Sequence, residues 1–130
     1  MPPTPRPTDA ELAILRVLWA RGPSTVREVH TAMADKRTVG YTTTLKVLQV
    51  MTAKGLTVRE ERGPQHLYRA KHAEHQMQRR LVRDLVDRAF GGSTSQFVLQ
   101  ALASRKTTPE DLREIRQLLD SYDKQDKKEE

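Results

Sequence analysis

The chain has 130 residues, no cysteine, a net charge of +6 and a pI near 9.9. A chain of this length forms one compact domain or two very small ones with little apolar core, which favours association with a second copy. The lack of cysteine excludes disulfides, thiolate metal sites and a thiol nucleophile, while the positive charge favours an acidic partner such as nucleic acid or a membrane surface.

The positive charge is concentrated in the first half of the chain. Residues 1–70 contain 11 Lys or Arg against 6 Asp or Glu, whereas residues 71–130 contain 12 against 11. No apolar run reaches the ~18 residues that a membrane-spanning helix needs, and no signal-peptide pattern opens the sequence. We therefore expect a cytoplasmic protein without membrane insertion. Four prolines in the first eight residues predict a disordered arm over residues 1–7.

Two capping signatures predict the first two helices. Thr8 stands three residues before Glu11, which is the spacing of a capping box, and the apolar residues that follow share one helical stripe until Gly22. Thr25 and Glu28 repeat the capping spacing and predict a second, shorter helix. Both helices should pack into a common core.

A third helix is predicted within the stretch YTTTLKVLQVMTAKG, residues 41–55, where Leu48 and Met51 fall on an apolar arc. The opposite arc bears small, hydroxyl, amide and ammonium groups and comprises Thr42, Thr43, Lys46, Gln49, Val50 and Ala53. No Asp or Glu occurs between Arg37 and Arg59. A solvated helix face usually mixes Glu with Lys, whereas a helix in the major groove of DNA needs groups that read base edges and no carboxylate facing the phosphates. From this segment alone, a helix that is simply exposed to solvent is as good an interpretation as a helix that reads DNA.

A hairpin is predicted after Gly55, because the apolar period changes to two. The segments LTVRE and HLYRA flank a turn at Gly63 and Pro64. Three short helices followed by a basic hairpin are the element order of a winged helix-turn-helix. We therefore predict a winged-helix DNA-binding domain over residues 8–72.

The remaining sequence predicts three amphipathic helices over residues 73–123, so the expected fold class is mainly α with a small β-hairpin. Gly91-Gly92 ends the first of these helices, and hydroxyl caps at Ser93 and Thr108 begin the other two. One copy cannot bury their apolar faces, so we predict a helical dimerisation domain and a homodimer. The predicted dimer contacts are Leu81, Leu85, Phe97, Val98, Leu102, Leu112, Ile115 and Leu119. Residues 124–130 alternate in charge and are predicted to form a frayed tail.

The segments DAELAILRVLW, TVREVH, YTTTLKVLQ with AKG, and the hairpin ending in LYRA resemble the BlaI/MecI (penicillinase repressor) family of bacterial transcriptional repressors. The resemblance implies a homodimer that binds a palindromic double-stranded DNA operator and represses neighbouring genes. By position, Thr42, Thr43 and Lys46 occupy recognition-helix places, and the wing runs from Arg59 to Tyr68. We predict the DNA-binding residues as Tyr41, Thr42, Thr43, Lys46, Gln49, Arg59 and Arg62.

Two residues depart from the family pattern. Val50 stands where many members have arginine, and Pro64 where they have a basic residue after the wing glycine, so the family's operator sequence is not carried over. The hairpin arginines that can replace these phosphate contacts are Arg59, Arg62 and Arg69. We expect Tyr41 to precede the recognition helix and either to bind a phosphate through its hydroxyl or to pack against the start of that helix.

The resemblance also implies a mechanism by which repression is relieved. In some members repression is relieved by cleavage in the C-terminal region, and the bond that corresponds here is Gln100-Ala101. This implies a membrane metalloprotease sensor as a partner, and the family name suggests antibiotic resistance. Copper-sensing relatives bind metal through C-terminal cysteines, which this chain lacks. The alternative is a winged-helix regulator released by a small-molecule effector.

Other classes of function find little support. His72 and His75 lie three residues apart beside Glu74, but the HExxH spacing is absent and a solvated helix start explains them. No Gly-x-Ser-x-Gly elbow and no phosphate-cradling glycine loop occurs. We therefore expect no enzyme, no metal and no cofactor.

Overall fold

Six helices and one antiparallel hairpin make up the part of the chain that the computed structural model describes, residues 6–34 and 39–129, with side chains up to residue 125. In chain order they are α1 (Asp9–Arg21), α2 (Val26–Met33), α3 (Tyr41–Lys54), β1 (Thr57–Arg62), β2 (Gln65–Ala70), α4 (Glu74–Ala89), α5 (Thr94–Ser104) and α6 (Pro109–Glu129). The predicted fold class is confirmed. Residues 1–5 of the expected arm, and residues 35–38 between the second and third helices, lie outside the described residues.

Both predicted capping boxes are formed. The Thr8 hydroxyl accepts the Glu11 backbone N–H at 3.2 Å, and the Glu11 carboxylate accepts the Thr8 N–H at 2.9 Å. Thr25 and Glu28 make the same two bonds at 3.2 and 2.9 Å. These bonds satisfy N–H groups that have no partner within the helix, and they fix where α1 and α2 begin.

The chain divides into two compact units, which meet in sequence between Arg83 and Asp84. The core of the first unit is apolar and comprises Ile14, Leu15, Leu18, Val26, Val29, Met33, Leu48, Met51, Leu56, Tyr68 and Met77. Met77 belongs to α4, and Leu81 packs against the same core. The first unit therefore includes the beginning of α4, and Leu81, which we predicted as a dimer contact, is partly buried within its own chain.

The hairpin is tied to the helices by a pair of backbone hydrogen bonds that the sequence did not predict. Ser24, between α1 and α2, donates its N–H to the Tyr68 carbonyl at 2.9 Å and accepts the Tyr68 N–H at 2.8 Å. Just beyond β2, Trp19 Nε1 donates to the His72 carbonyl at 2.9 Å. These bonds fix the hairpin and the residues just after it against α1 and the loop between α1 and α2.

An ion pair joins α1 to the end of α3. Lys54 Nζ lies 2.9 Å from Glu11 Oε2, while the other Glu11 carboxylate oxygen makes the capping box with Thr8. Glu11 is only 4% exposed. Burial raises the pKa of this carboxyl, but the Thr8 N–H and the Lys54 ammonium outweigh that effect, so its pKa lies below the ordinary value. The charged carboxylate thus links the start of α1 to the C-terminal end of α3.

The second unit begins within α4 and contains α5 and α6. Phe90 and Phe97 meet edge-on, with ring centroids 5.6 Å apart, on either side of the turn at Gly91 and Gly92. Both glycines have positive φ, at 56° and 81°, a conformation that side chains disfavour. The Ser93 hydroxyl accepts the Gln96 N–H at 3.2 Å, which confirms the predicted cap of α5.

The last helix is longer than the sequence pattern predicted. The Thr108 hydroxyl accepts the Asp111 N–H at 3.1 Å and caps the start, as predicted. We expected a frayed tail from Lys124, and α6 includes this stretch as far as Glu129. The reason is that Lys, Gln and Glu, which dominate this stretch, favour a helix wherever no proline or glycine interrupts it.

Few apolar side chains of the second unit are buried. Among its described side chains, Val86 is the one apolar residue that is buried. The large apolar side chains that are 40–59% exposed in this unit are Leu85, Val98, Leu99, Leu118, Leu119 and Tyr122. The remaining predicted dimer contacts, which are half-buried, are Phe97, Leu102, Leu112 and Ile115. No helix within the described ranges has the length and apolar character to cross a membrane.

Candidate nucleic-acid interface

The side of α3 that faces away from the core carries the predicted recognition residues. Thr44, Leu48 and Met51 are buried on its inner side. The exposed side, which we call the recognition strip, consists of Thr42, Thr43, Lys46, Gln49, Val50 and Ala53. Its side chains are short apart from Lys46 and Gln49, so a ligand surface can approach the helix backbone closely. The strip offers hydroxyl, amide and ammonium groups and no carboxylate.

The N-terminal end of α3 is suited to an anion. Gly40 is the N-cap residue and supplies no side-chain hydrogen bond, and the first turn contains no acidic residue. The amino end of a helix bears a partial positive charge from its aligned peptide dipoles. A phosphate placed there would meet backbone N–H groups rather than a competing carboxylate.

Tyr41 is the first residue of α3 and does not precede the helix as we expected. Its ring lies between two residues of α2: the Arg27 guanidinium carbon is 5.2 Å from the ring centroid, and the His30 ring meets it edge-on at 5.9 Å. His30 Nδ1 is also 3.1 Å from the hydroxyl of buried Thr44. The structure therefore packs the Tyr41 ring against α2 and leaves the residue 41% exposed.

The hairpin adds basic groups beside the recognition strip. Arg59 is paired with Tyr68 in the antiparallel register, and residues opposite one another share a face. Tyr68 is buried against the helices, so Arg59 lies on the side of the hairpin that faces α3. An open groove there is lined by residues that include Gln49, Ala53, Arg59 and Lys71. The strip and the wing thus form one continuous surface.

The other two hairpin arginines, Arg62 and Arg69, do not lie on the face that Arg59 occupies. Arg62 pairs with Gln65 beside the turn and is exposed at the tip. Arg69 Nε is 2.7 Å from Glu60 Oε1, on the face of the hairpin opposite to Arg59. This ion pair is partly exposed and therefore weak, and a phosphate contact by Arg69 would compete with it. Neither Arg59 nor Arg62 makes an ion pair with a carboxylate among the residues that the structure describes.

Arg27 and Lys71 are basic residues near this surface that the sequence analysis missed. The TVRE capping box could have indicated Arg27, because it places that residue in the first turn of the helix before the recognition helix. No local pattern indicated Lys71, whose Nζ lies 3.8 Å from the Cβ position that a side chain at Gly55 would occupy. Arg27 and Lys71 lie near this surface because of the way the helices and the hairpin pack.

The predicted cleavage segment lies in the second unit. Gln100 and Ala101 are exposed residues of α5, inside a regular helix. Among the residues that the structure describes, no cluster of three or more His, Cys, Asp or Glu is arranged to hold a metal ion.

Comparison with known proteins places this geometry in context. The model of the penicillinase repressor family matches residues 7–121. The transcriptional regulator BlaI of Mycobacterium tuberculosis, known from two strains, is 32% identical over 98 residues, which is 75% of this chain and 71% of that protein.

Two solved structures are similar. One is the solution structure of Bacillus licheniformis BlaI, a monomeric form in complex with the blaP half-operator, with 24% identity and a TM-score of 0.50 over 57% of this chain and 90% of that chain. The other is a homodimeric winged helix-turn-helix DNA-binding domain from Mycobacterium bovis, a possible ArsR-family transcriptional regulator, with 26% identity and a TM-score of 0.46 over 63% and 71%. The likeness to the first structure is one of fold.

Proposed function

The chain belongs to the penicillinase repressor family of transcriptional regulators, and from this we propose that it represses transcription in the cytoplasm by binding a palindromic DNA operator as a homodimer. It is not an enzyme. The observation that carries the proposal is the recognition strip, an exposed and acid-free helix face that continues into a basic hairpin.

In this proposal the side chains of the strip read bases and the surrounding cations bind phosphates. Lys46 suits the O6 and N7 acceptors of guanine, and Gln49 suits the N6 and N7 groups of adenine. Thr42 and Thr43 offer hydroxyls to either type of base edge and leave room for the helix to enter the groove. Tyr41, Arg59 and Arg62 are assigned to the DNA backbone, where contacts set orientation and register.

The dimer is proposed to form through the second unit. With a single buried apolar side chain among those described, this unit has no core of its own, and its large exposed leucines need a partner surface. A second copy supplies matching faces by two-fold symmetry. Two recognition helices would then meet successive major grooves about 34–36 Å apart, which corresponds to an operator with two-fold symmetry.

Lys46→Ala tests base reading by the strip. We expect the preference for operator over scrambled duplex to fall roughly tenfold or more, because one good base contact provides ~1–3 kcal/mol of discrimination. The measurement is fluorescence anisotropy with a labelled duplex from the upstream region of the protein's own gene, set against a scrambled duplex at the same salt concentration. Lys106→Ala removes the same charge from an exposed position between α5 and α6 and is the control. An unchanged preference in the Lys46 variant would count against the assignment.

We further propose that cleavage of the Gln100-Ala101 bond by a membrane metalloprotease relieves repression. Exposure of both residues supports access, although α5 must unwind locally before an extended segment can enter a protease. Cleavage there would sever α6, with its exposed leucines, from the DNA-binding unit and so weaken the dimer.

Mass spectrometry of the protein recovered from induced cells tests this switch. A β-lactam is the first inducer to apply, because the family is named for a penicillinase. We expect a fragment that ends at Gln100 to appear as the regulated gene is expressed. Expression of that gene while the chain stays intact would rule out proteolytic relief.

A further inference from the structure

Arg27 is a basic residue beside the start of the recognition helix, and the proposed function does not use it. It lies in the first turn of α2 and is exposed. Its guanidinium carbon stands 5.2 Å from the centroid of the Tyr41 ring. This distance is within the range of a cation–π interaction, in which the arginine lies over the aromatic face.

The charge of Arg27 is not neutralised by the acidic residue beside it. Glu28 is held by the backbone N–H of Thr25, which lowers the pKa of its carboxyl, and Arg21 adds to that effect. Arg21 Nη2 lies 3.1 Å from Glu28 Oε2. Within the described part of the chain, Arg27 has no ion pair with any carboxylate. No carboxylate of that part of the chain therefore occupies the N–H donors of the guanidinium.

The position of Arg27 extends the recognition strip at its N-terminal end. Tyr41 directly precedes Thr42 in the strip. An open groove runs from this pair toward the tip of the hairpin and is lined by residues that include Thr25, Arg27, Tyr41, Gln65 and His66. The lining offers hydroxyl, amide and imidazole groups, and it also includes the Glu28 carboxylate, which is paired with Arg21. Arg27 therefore lies beside the first residue of α3, at the end of the helix where the recognition strip begins.

We propose that Arg27, held against the ring of Tyr41, is a phosphate-binding residue of the DNA interface and that α2 contributes it. This inference rests on the proposed function. Stacking occupies the face of the guanidinium and leaves its N–H donors at the edge free, and that edge matches two phosphate oxygens. Because the ring limits the rotamers of the arginine, less conformational entropy is lost when the phosphate binds.

Arg27→Ala and Arg27→Gln test the proposal in the full-length protein. Both should weaken binding to operator and to scrambled duplex by a similar factor, because a phosphate carries no sequence information. The slope of log affinity against log salt should become shallower by about 0.9 for each lost phosphate contact, which is about 2 for a dimer on two half-sites. The measurement is an anisotropy titration of both duplexes at several salt concentrations.

Arg16→Ala is the matched control, because Arg16 is an exposed arginine of α1 away from the groove. It should leave the salt slope at the parent value. Tyr41→Leu removes the ring but not the cation, so it should weaken binding, and the effect of Arg27→Ala should be smaller in that background. Thermal unfolding followed by circular dichroism checks that each variant is folded.

The outcomes separate this inference from the proposed function. If the parent protein binds no duplex with a salt-dependent affinity, the proposed function itself fails. If the parent binds and both Arg27 variants keep its slope, the phosphate contact is wrong while the proposed function stands. A loss confined to the operator would also overturn the inference, because Arg27 would then be reading bases.

Discussion

Replacing Leu119 by aspartate is expected to convert the protein to a monomer and to weaken operator binding by about 100-fold or more, since the contribution of the second half-site is lost. Leu119 is 58% exposed in the single chain. The substitution therefore disturbs little within one copy. In the proposed dimer the same side chain faces the partner, where an unpaired carboxylate would have to lose its hydration at a cost of several kcal/mol.

The oligomeric state is measured by sedimentation equilibrium, and operator affinity by anisotropy at the same protein concentrations. Gln117→Asp is the matched control, because it places the same charge at an exposed polar position of α6, two residues away. It should leave the mass and the affinity of the protein unchanged. A Leu119→Asp variant that remains dimeric, or a monomer that binds the operator as tightly as the parent, would contradict the proposed assembly.

Glu11→Ala is expected to lower the free energy of unfolding by about 2–3 kcal/mol, because it removes the carboxylate half of the α1 capping box and leaves Lys54 without its carboxylate. We place the loss below that of a fully buried ion pair, since the Lys54 side chain is 33% exposed and can regain water. Glu11→Gln should lose less, because the amide oxygen can still accept the Thr8 N–H.

The effect of Glu11→Ala should depend on pH in a defined direction. The folded-state pKa of Glu11 lies below its ordinary value of 4.5, so this group contributes stability that is present above that value and lost as the pH falls through the folded-state pKa. Urea unfolding should therefore show the largest difference between parent and variant near neutral pH and a smaller one below about pH 4. Glu28→Ala, which removes the exposed capping box of α2, is the control and should cost less. A difference that grows toward acid would refute the role given to the Glu11–Lys54 pair.

The elements of this fold were predictable where their causes lie within a few residues of one another. Capping boxes join residues three apart, the apolar period of a helix shows over two or three turns, and a glycine-proline turn joins two adjacent strands. For this reason α1, α2, the hairpin and the caps at Ser93 and Thr108 were predicted correctly from the sequence. The acid-free side of α3 was visible for the same reason, since it follows from helical spacing alone.

The end of α6 shows that the charge pattern alone does not predict where a helix ends. Alternating charge suggested a frayed tail, but the same residues are good helix formers, and neither glycine nor proline stops the helix before Glu129. The start of α3 shows a similar limit. We expected Tyr41 to precede the helix, yet Gly40 is the N-cap and Tyr41 already belongs to the helix.

By itself, the sequence determined the order of the elements, the polarity of each helix face and the family resemblance, because each of these is encoded by neighbouring residues. Only the tertiary structure decided which distant groups meet. It brought Arg27 over Tyr41, tied Ser24 to Tyr68, paired Arg69 with Glu60 and buried Met77 of α4 in the core of the first unit. Such contacts depend on how elements pack and on the register of the strands, and a one-residue change in that register would turn every hairpin arginine to the opposite face.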